Sequence, residues 1–297
     1  MKNYKEITCK SACNKIKTNR LPYKWDLNIY RGCEHGCKYC FALYSHNYMN
    51  SNQFFDDVYV KINIVEKLEE QLKKSSWKKE VINIGGVTDS YQRAEQKYKL
   101  MPEILKLMIK YKNPCIISTK SDLILRDFDL IDELSRITYI NVAATITAVD
   151  ENIRRKIEPN GVSTRRRFRM LKEFSKTNAS IGVHAMPIIP YITDTRENIE
   201  ALYQGARDCN ATYLLAQILN LRGITKCNFL NFLKCEYPYI YPKMEMLYKS
   251  GRVDTNYSRN LYSMIAEIRA KYGVSNDYTN YMKKILNKDK SEQLSFF

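Results

Sequence analysis

From about residue 25 to residue 217, short apolar runs alternate with longer segments whose apolar positions recur every three or four residues. The short runs at 26–30, 81–84, 115–118, 140–146, 181–186 and 212–216 have strand length, and most are rich in Ile and Val. They predict six strands. Helical spacing at 64–72, 100–111, 128–134, 165–174 and 196–206 predicts the helices between them. Such alternation implies an α/β fold on a parallel sheet. In parallel barrels the functional side chains gather on the loops that leave the C-terminal ends of strands. After residue 219 the alternation stops, and the remainder reads as helical and basic, with helices at 241–249 and 257–272 and a loose tail, SEQLSFF, at the end. The expected organisation is an N-terminal extension (1–22), a barrel-like unit (23–219) and a helical C-terminal extension (220–297) packed on it.

Composition changes this picture little. With 297 residues and 44% hydrophobic content the chain can bury a full core. Its nine cysteines are an odd number, and a chain of this length needs no disulfide staples. The opening MKNYKEITCKSACNKIKTNR is polar and basic where a secretory signal needs an apolar block, and no stretch has the length of a membrane span. A cytoplasmic protein with no membrane partner is expected. A formal net charge of +16 favours a polyanionic partner such as nucleic acid. Two basic clusters stand out, Arg154, Arg155 and Lys156, then Arg165, Arg166, Arg167 and Arg169. An even spread of lysine over a solvated surface is the plainer account of the rest.

The candidate chemistry lies in the loop after the first expected strand. Cys33, Cys37 and Cys40 have the spacing C-x3-C-x2-C. Four-iron cubes are normally held by four thiolates, so three in one tight run leave either a remote fourth ligand or an iron open to a small molecule. A zinc site is the alternative, with His35 or His46 as fourth ligand. Other strand ends carry suitable partners for a ligand. Gly85 and Gly86 allow close backbone approach, followed by Thr88 and Asp89, whose carboxylate suits an ammonium group. Lys120 suits a carboxylate, and Thr145 and Thr147 stand where a ribose could be faced. Arg154 and Arg155 precede Glu158, Pro159, Asn160 and Gly161, a loop that either orients a substrate or is tied down by its own salt bridges. Cys9, Cys13, Cys209, Cys227 and Cys235 are scattered; they are small buried hydrophobes or, less economically, ligands of a second cluster.

Taken together, RGCEHGCKYCFA, GGVTDSYQ, STKSDLILRD, the IEP turn and HAMPIIP resemble the radical S-adenosylmethionine enzymes. The similar branch is the one that includes spore photoproduct lyase and its "DNA repair photolyase" relatives. The resemblance covers roughly residues 23–217 and implies an open, partial (β/α)6 barrel of TIM type. It places Cys33, Cys37 and Cys40 on a [4Fe-4S] cluster whose open iron chelates S-adenosylmethionine. One electron, from a flavodoxin or ferredoxin, would then cleave that cofactor to a 5'-deoxyadenosyl radical. It puts Gly85, Gly86, Thr88, Asp89 and Lys120 around the methionyl group and Tyr39 near the adenine. The radical would abstract hydrogen from an unidentified substrate, with nucleic acid as a candidate, held under the C-terminal segment. Two departures bear on activity. Spore photoproduct lyase has a hydrogen-donating cysteine where Gly86 aligns, and a tyrosine where Phe41 follows the third cysteine. Neither residue here donates a hydrogen atom, which leaves Tyr91, Tyr98 and Cys115 as sources. The rival from another class is a nonenzymatic, zinc-stabilised nucleic-acid-binding protein.

Overall fold

The computed structural model describes residues 3–18, 21–49, 51 and 53–294. Its strands are β1 (Asn3–Ile7), β2 (Cys13–Lys15), β3 (Trp25–Leu27), β4 (Tyr30–Arg31), β5 (Asp57–Lys61), β6 (Ile82–Ile84), β7 (Cys115–Thr119), β8 (Ile140–Thr145), β9 (Ser180–Ile188) and β10 (Tyr213–Ile218). Its α-helices are α1 (Ile64–Leu72), α2 (Ala94–Tyr98), α3 (Leu100–Tyr111), α4 (Phe128–Ile137), α5 (Glu151–Ile157), α6 (Thr164–Phe174), α7 (Arg196–Asp208), α8 (Gly223–Glu236), α9 (Tyr241–Leu247), α10 (Thr255–Tyr272) and α11 (Thr279–Leu294). No described helix is long and apolar enough to cross a membrane.

The main sheet has seven strands in the order β10-β9-β8-β7-β6-β3-β2. The six strands from β3 to β10 are parallel, and each lies beside its predecessor in the chain; β2 joins β3 antiparallel. This is a barrel wound one unit at a time and left open, as the expected partial barrel requires. Parallel strands usually read as continuous apolar runs because both faces are covered. Here the two faces differ. Cys115, Ile117, Ile140, Val142, Ala144, Ile181, Val183, Ala185 and Leu214 join the core that includes helix residues such as Leu105, Ile131, Leu171 and Leu202. Four of the alternate residues are polar and bond one another: Ser118 bonds the His184 ring at 3.1 Å, His184 bonds Tyr213 at 3.0 Å, and the Tyr213 hydroxyl donates to Asn141 at 3.0 Å. Gly182 makes room for this chain, since a Cβ there would stand 2.3 Å from the Tyr213 hydroxyl. At the foot of the sheet Met282 of α11 packs with Val81, Ile116 and Tyr139, joined by Tyr278.

The structure corrects three expectations. The first run, 26–30, is not one strand. Residues 25–27 belong to the main sheet, whereas Tyr30–Arg31 joins a separate three-stranded sheet in the order β1-β5-β4. The break falls at Asn28, whose side chain leaves the ladder to bond Asp26 Oδ2 at 2.5 Å and to accept from the Val87 amide at 2.9 Å. Strands β1, β2 and β5 carried no clear period, because β1 is half exposed and β5 is buried at every position. The end of the chain is no loose tail through 294, since α11 continues to Leu294; residues 295–297 lie outside the described residues.

Gly182→Ala should lower stability by about 1–3 kcal/mol through overpacking against Tyr213, read from denaturant midpoints. An unchanged midpoint would mean that Tyr213 does not occupy this space.

Candidate cluster and cofactor site

The cysteine loop follows β4 and forms neither strand nor helix between Gly32 and Cys40. A buried irregular segment needs partners for its backbone groups, and these come from other loops. The Cys33 amide donates to Phe54 O at 3.2 Å, the Glu34 amide to Gln92 Oε1 at 2.9 Å, and the Lys38 amide to Ile157 O at 2.9 Å. From the loop between α5 and α6, the Asn160 amide donates to His35 O at 3.2 Å and its side-chain amide to Glu34 O at 2.7 Å. Arg154 in turn fastens that loop, with Nη1 donating to the carbonyls of Glu158 and Gly161 at 2.8 Å each and Nε to Glu151 at 2.7 Å. Of the two readings open for Arg154, the tie is the one its geometry displays.

Asp89 is the second anchor. Its Oδ1 accepts from the Tyr91 amide at 2.9 Å and the Thr119 hydroxyl at 2.7 Å, while Oδ2 accepts from His35 Nε2 and the Lys120 amide, both at 2.8 Å. Burial alone would raise this carboxyl, but His35, the Lys120 amide and Thr119 outweigh it and hold Asp89 well below the usual carboxylate range. Asp89 therefore joins the ends of β6 and β7 to the cysteine loop. Thr88 does similar work, its hydroxyl donating to Gly32 O at 2.6 Å.

The glycine pair has two separate explanations. Gly85 turns with φ +88°, a conformation that other residues resist. Gly86 lies so close to Asp26 that a Cβ would be 2.4 Å from its carboxylate. Lys120 projects toward the cysteines with its ammonium 5.9 Å from the centroid of the Tyr39 ring. It makes no ion pair among the described residues. Burial would depress that ammonium, yet Cys37, Glu158 and Asp89 keep it above its ordinary value. Tyr39 is buried, with its hydroxyl donating to Glu158 and 3.4 Å from Thr147 Oγ1. Thr145 offers its carbonyl to Arg167 at 2.7 Å. The predicted residues thus fall at one end of the sheet, around one loop.

Burial raises the Cys33 thiol, followed by Asp89, Cys37 and Cys40; burial also pushes Cys37 up to about 12 and raises Cys40. Three crowded thiols of this kind lose their protons readily only to a metal, which offsets the cost. Among the described residues no three His, Cys, Asp or Glu side chains converge on a single ion. Of the histidines that zinc would need, His35 is held through both ring nitrogens, by Asp89 and, at 3.3 Å, by Asn160 O, whereas His46 bonds Asp57 O through Nε2 at 3.1 Å and keeps Nδ1 buried with no partner among the described residues. A cube asks less convergence, because each thiolate takes a different iron.

The proposed hydrogen sources do not gather here. The Tyr91 hydroxyl donates to Asp127, Tyr98 packs edge-on to Tyr4, and Cys115 lies on the helix-facing side of β7. Phe41 is 62% exposed. The sequence marked Glu158 and Asn160 as a loop tied down or orienting a substrate and Arg167 as part of a basic cluster, but it assigned no role to Gln92 and gave no sign of the bonds that join Gln92 and Asn160 to the cysteine loop and Arg167 to Glu158. The C-terminal segment covers the cysteines, with the Thr225 hydroxyl of α8 donating to Cys40 O at 3.0 Å, and Phe229, Leu233 and Met244 in one cluster with Cys37 and Tyr39.

The fold is shared with spore photoproduct lyase in complex with a dinucleoside spore photoproduct. The TM-score is 0.68 at 11% identity, over 91% of this chain and 79% of that one. An uncharacterized protein of Mycobacterium tuberculosis is 32% identical over 280 residues, covering 93% of this chain and 82% of the relative. One from Methanocaldococcus jannaschii is 31% identical over 237 residues, 80% of this chain and 85% of its own length. The radical SAM superfamily model matches residues 27–203, the span that contains the cysteine loop, both anchoring loops and the parallel strands β6 to β9. The chain belongs to the radical SAM superfamily and is an enzyme of that type.

Proposed function

We propose that Cys33, Cys37 and Cys40 hold three irons of a [4Fe-4S] cluster, that the fourth iron receives S-adenosylmethionine, and that the resulting radical acts on a nucleic-acid substrate. The observation that carries this reading is the cysteine loop itself. Three neighbouring thiols, Cys37 buried and Cys33 and Cys40 half-buried, sit on a frame fixed by Asp89 and Asn160, with His35 held by both. When bound, the cluster and cofactor supply reductive cleavage to a 5'-deoxyadenosyl radical.

The protein's own part is to bind, orient and shield. Lys120, free of an ion pair among the described residues and facing Tyr39, suits the methionyl carboxylate. Asp89 already accepts four hydrogen bonds, so its work is to hold the loop, and the methionyl ammonium falls to the backbone around Gly85 and Gly86. Tyr39 lends its ring to the adenine, and Thr147 stands beside it. Helices α8 and α9 cover Cys37 and Tyr39 and would exclude water from that side of the cluster. An external flavodoxin or ferredoxin supplies the electron.

A nucleic-acid substrate is supported by the net charge and by the dinucleoside bound in the spore photoproduct lyase of the same fold. A cavity of about 680 Å³ beside the cysteine loop is lined by Arg93 with His35 and Asn160, and also by Arg126 and Arg166, which are paired there with Glu95, Asp127 and Asp122. The two basic clusters contribute only in part, since Arg154 and Arg167 are buried and structural.

Cys33→Ala should abolish cluster assembly, measured as iron and sulfide after anaerobic reconstitution. A variant that still cleaves S-adenosylmethionine under dithionite contradicts the reading, and wild-type protein carrying one zinc favours the rival. Lys120→Gln should weaken S-adenosylmethionine binding about 10-fold or more, as loss of a charged hydrogen bond costs about 1.5–3 kcal/mol; calorimetry with the loaded protein reads it, and equal affinity would remove Lys120 from the site. Oligonucleotide affinity should fall steeply between low and moderate salt, and binding indifferent to salt would argue against phosphate contacts.

A further inference from the structure

Behind Tyr39 lies an ion pair that the binding of S-adenosylmethionine does not require. Glu158 and Arg167 are both 0% exposed, with Arg167 Nη1 2.5 Å from Glu158 Oε2 and 2.7 Å from Thr145 O. The other Glu158 oxygen accepts from the Tyr39 hydroxyl. Tyr39 stands between the ligands Cys37 and Cys40, and the amide of Lys38 is pinned at 2.9 Å to Ile157 O, the residue before Glu158. One side chain therefore separates this pair from two ligands.

As a stabilising device the arrangement is a poor one. Buried ion pairs are often no better than apolar residues of the same volume. Arg167 also keeps Nε and Nη2 buried with no hydrogen-bond partner among the described residues. Beside Nη2 the chain carries Gly161, where a Cβ would be 2.3 Å away. Bare donors leave the positive charge undiluted, and in a buried setting charges act over longer distances than in water. Iron-sulfur potentials respond to such nearby charge.

We propose that Glu158 and Arg167 form a positioning pair that sets the reduction potential of the cluster and holds Tyr39 in place between its ligands. This rests on the cluster reading given above. Reduction adds one electron to the cluster from dithionite and moves no proton. The carboxylate opposes that electron and the guanidinium favours it. The Tyr39 hydroxyl, by donating to Glu158, partly neutralises the carboxylate.

The test is a potentiometric titration of the reconstituted protein, without S-adenosylmethionine, followed by the electron paramagnetic resonance signal of the reduced cluster. Glu158→Gln removes the negative charge at constant shape and should move the midpoint to a more positive value. Tyr39→Phe leaves both charges but withdraws the neutralising hydrogen bond, and should move it to a more negative value. Opposite shifts support the proposal, because simple loosening of the loop would move both variants the same way. Shifts of one sign, or none, overturn it. If Glu158→Gln does not assemble a cluster, Tyr39→Phe decides alone, a negative shift supporting and any other result overturning. Wild-type protein that takes up no cluster overturns the underlying reading, which separates that failure from this one.

Discussion

The site depends on the need of one irregular, buried loop to find partners for its backbone. Residues from Gly32 to Cys40 have no ladder or helix of their own, so their amides and carbonyls are met by Phe54, Gln92, Ile157 and Asn160, from segments that lie far along the chain. Asp89 adds a charged anchor, receiving His35 from the loop while its other bonds tie it to the ends of β6 and β7. The thiols can be presented together only once the parallel sheet has brought these segments to one end. Winding the sheet and building the site are therefore one event.

The inward face of the sheet follows the same logic. Parallel strands tolerate polar residues only where those residues satisfy one another. The run from Ser118 through His184 and Tyr213 to Asn141 does so across four strands. Burial, then the charge of Lys120, depress the His184 imidazole to about 4, so it stays neutral and serves as a link in this chain. The basic surface and the buried arginines do different work. Arg154 and Arg167 lie inside and hold loops, while Arg93 and Arg166 line an outer cavity.

Much of this was legible in the chain. Period alone located the five parallel strands β6 to β10 and the long helices, because each buries one strong apolar stripe or run, as in α1 and α3, whose observed limits match the spacing. The cysteine spacing located the loop. What period could not show was pairing between distant segments. Strand β1 has a mixed pattern, and β4 has only two residues, so the small sheet left no signature. The anchoring role of Asp89 was hidden for a related reason: a carboxylate after two glycines suits a ligand as well as it suits a protein anchor, and the four donors around it became visible only in the fold. Gly86 likewise reads as a ligand approach, while its contact is with Asp26.

The central claim is that three cysteines hold the cube and one iron is left for a small molecule. Mössbauer spectroscopy of iron-reconstituted protein, before and after S-adenosylmethionine is added, addresses it directly. The account predicts that one of the four iron sites changes its isomer shift on addition while the other three keep theirs. Four sites that stay unchanged, or a protein that assembles no four-iron cube, would contradict it.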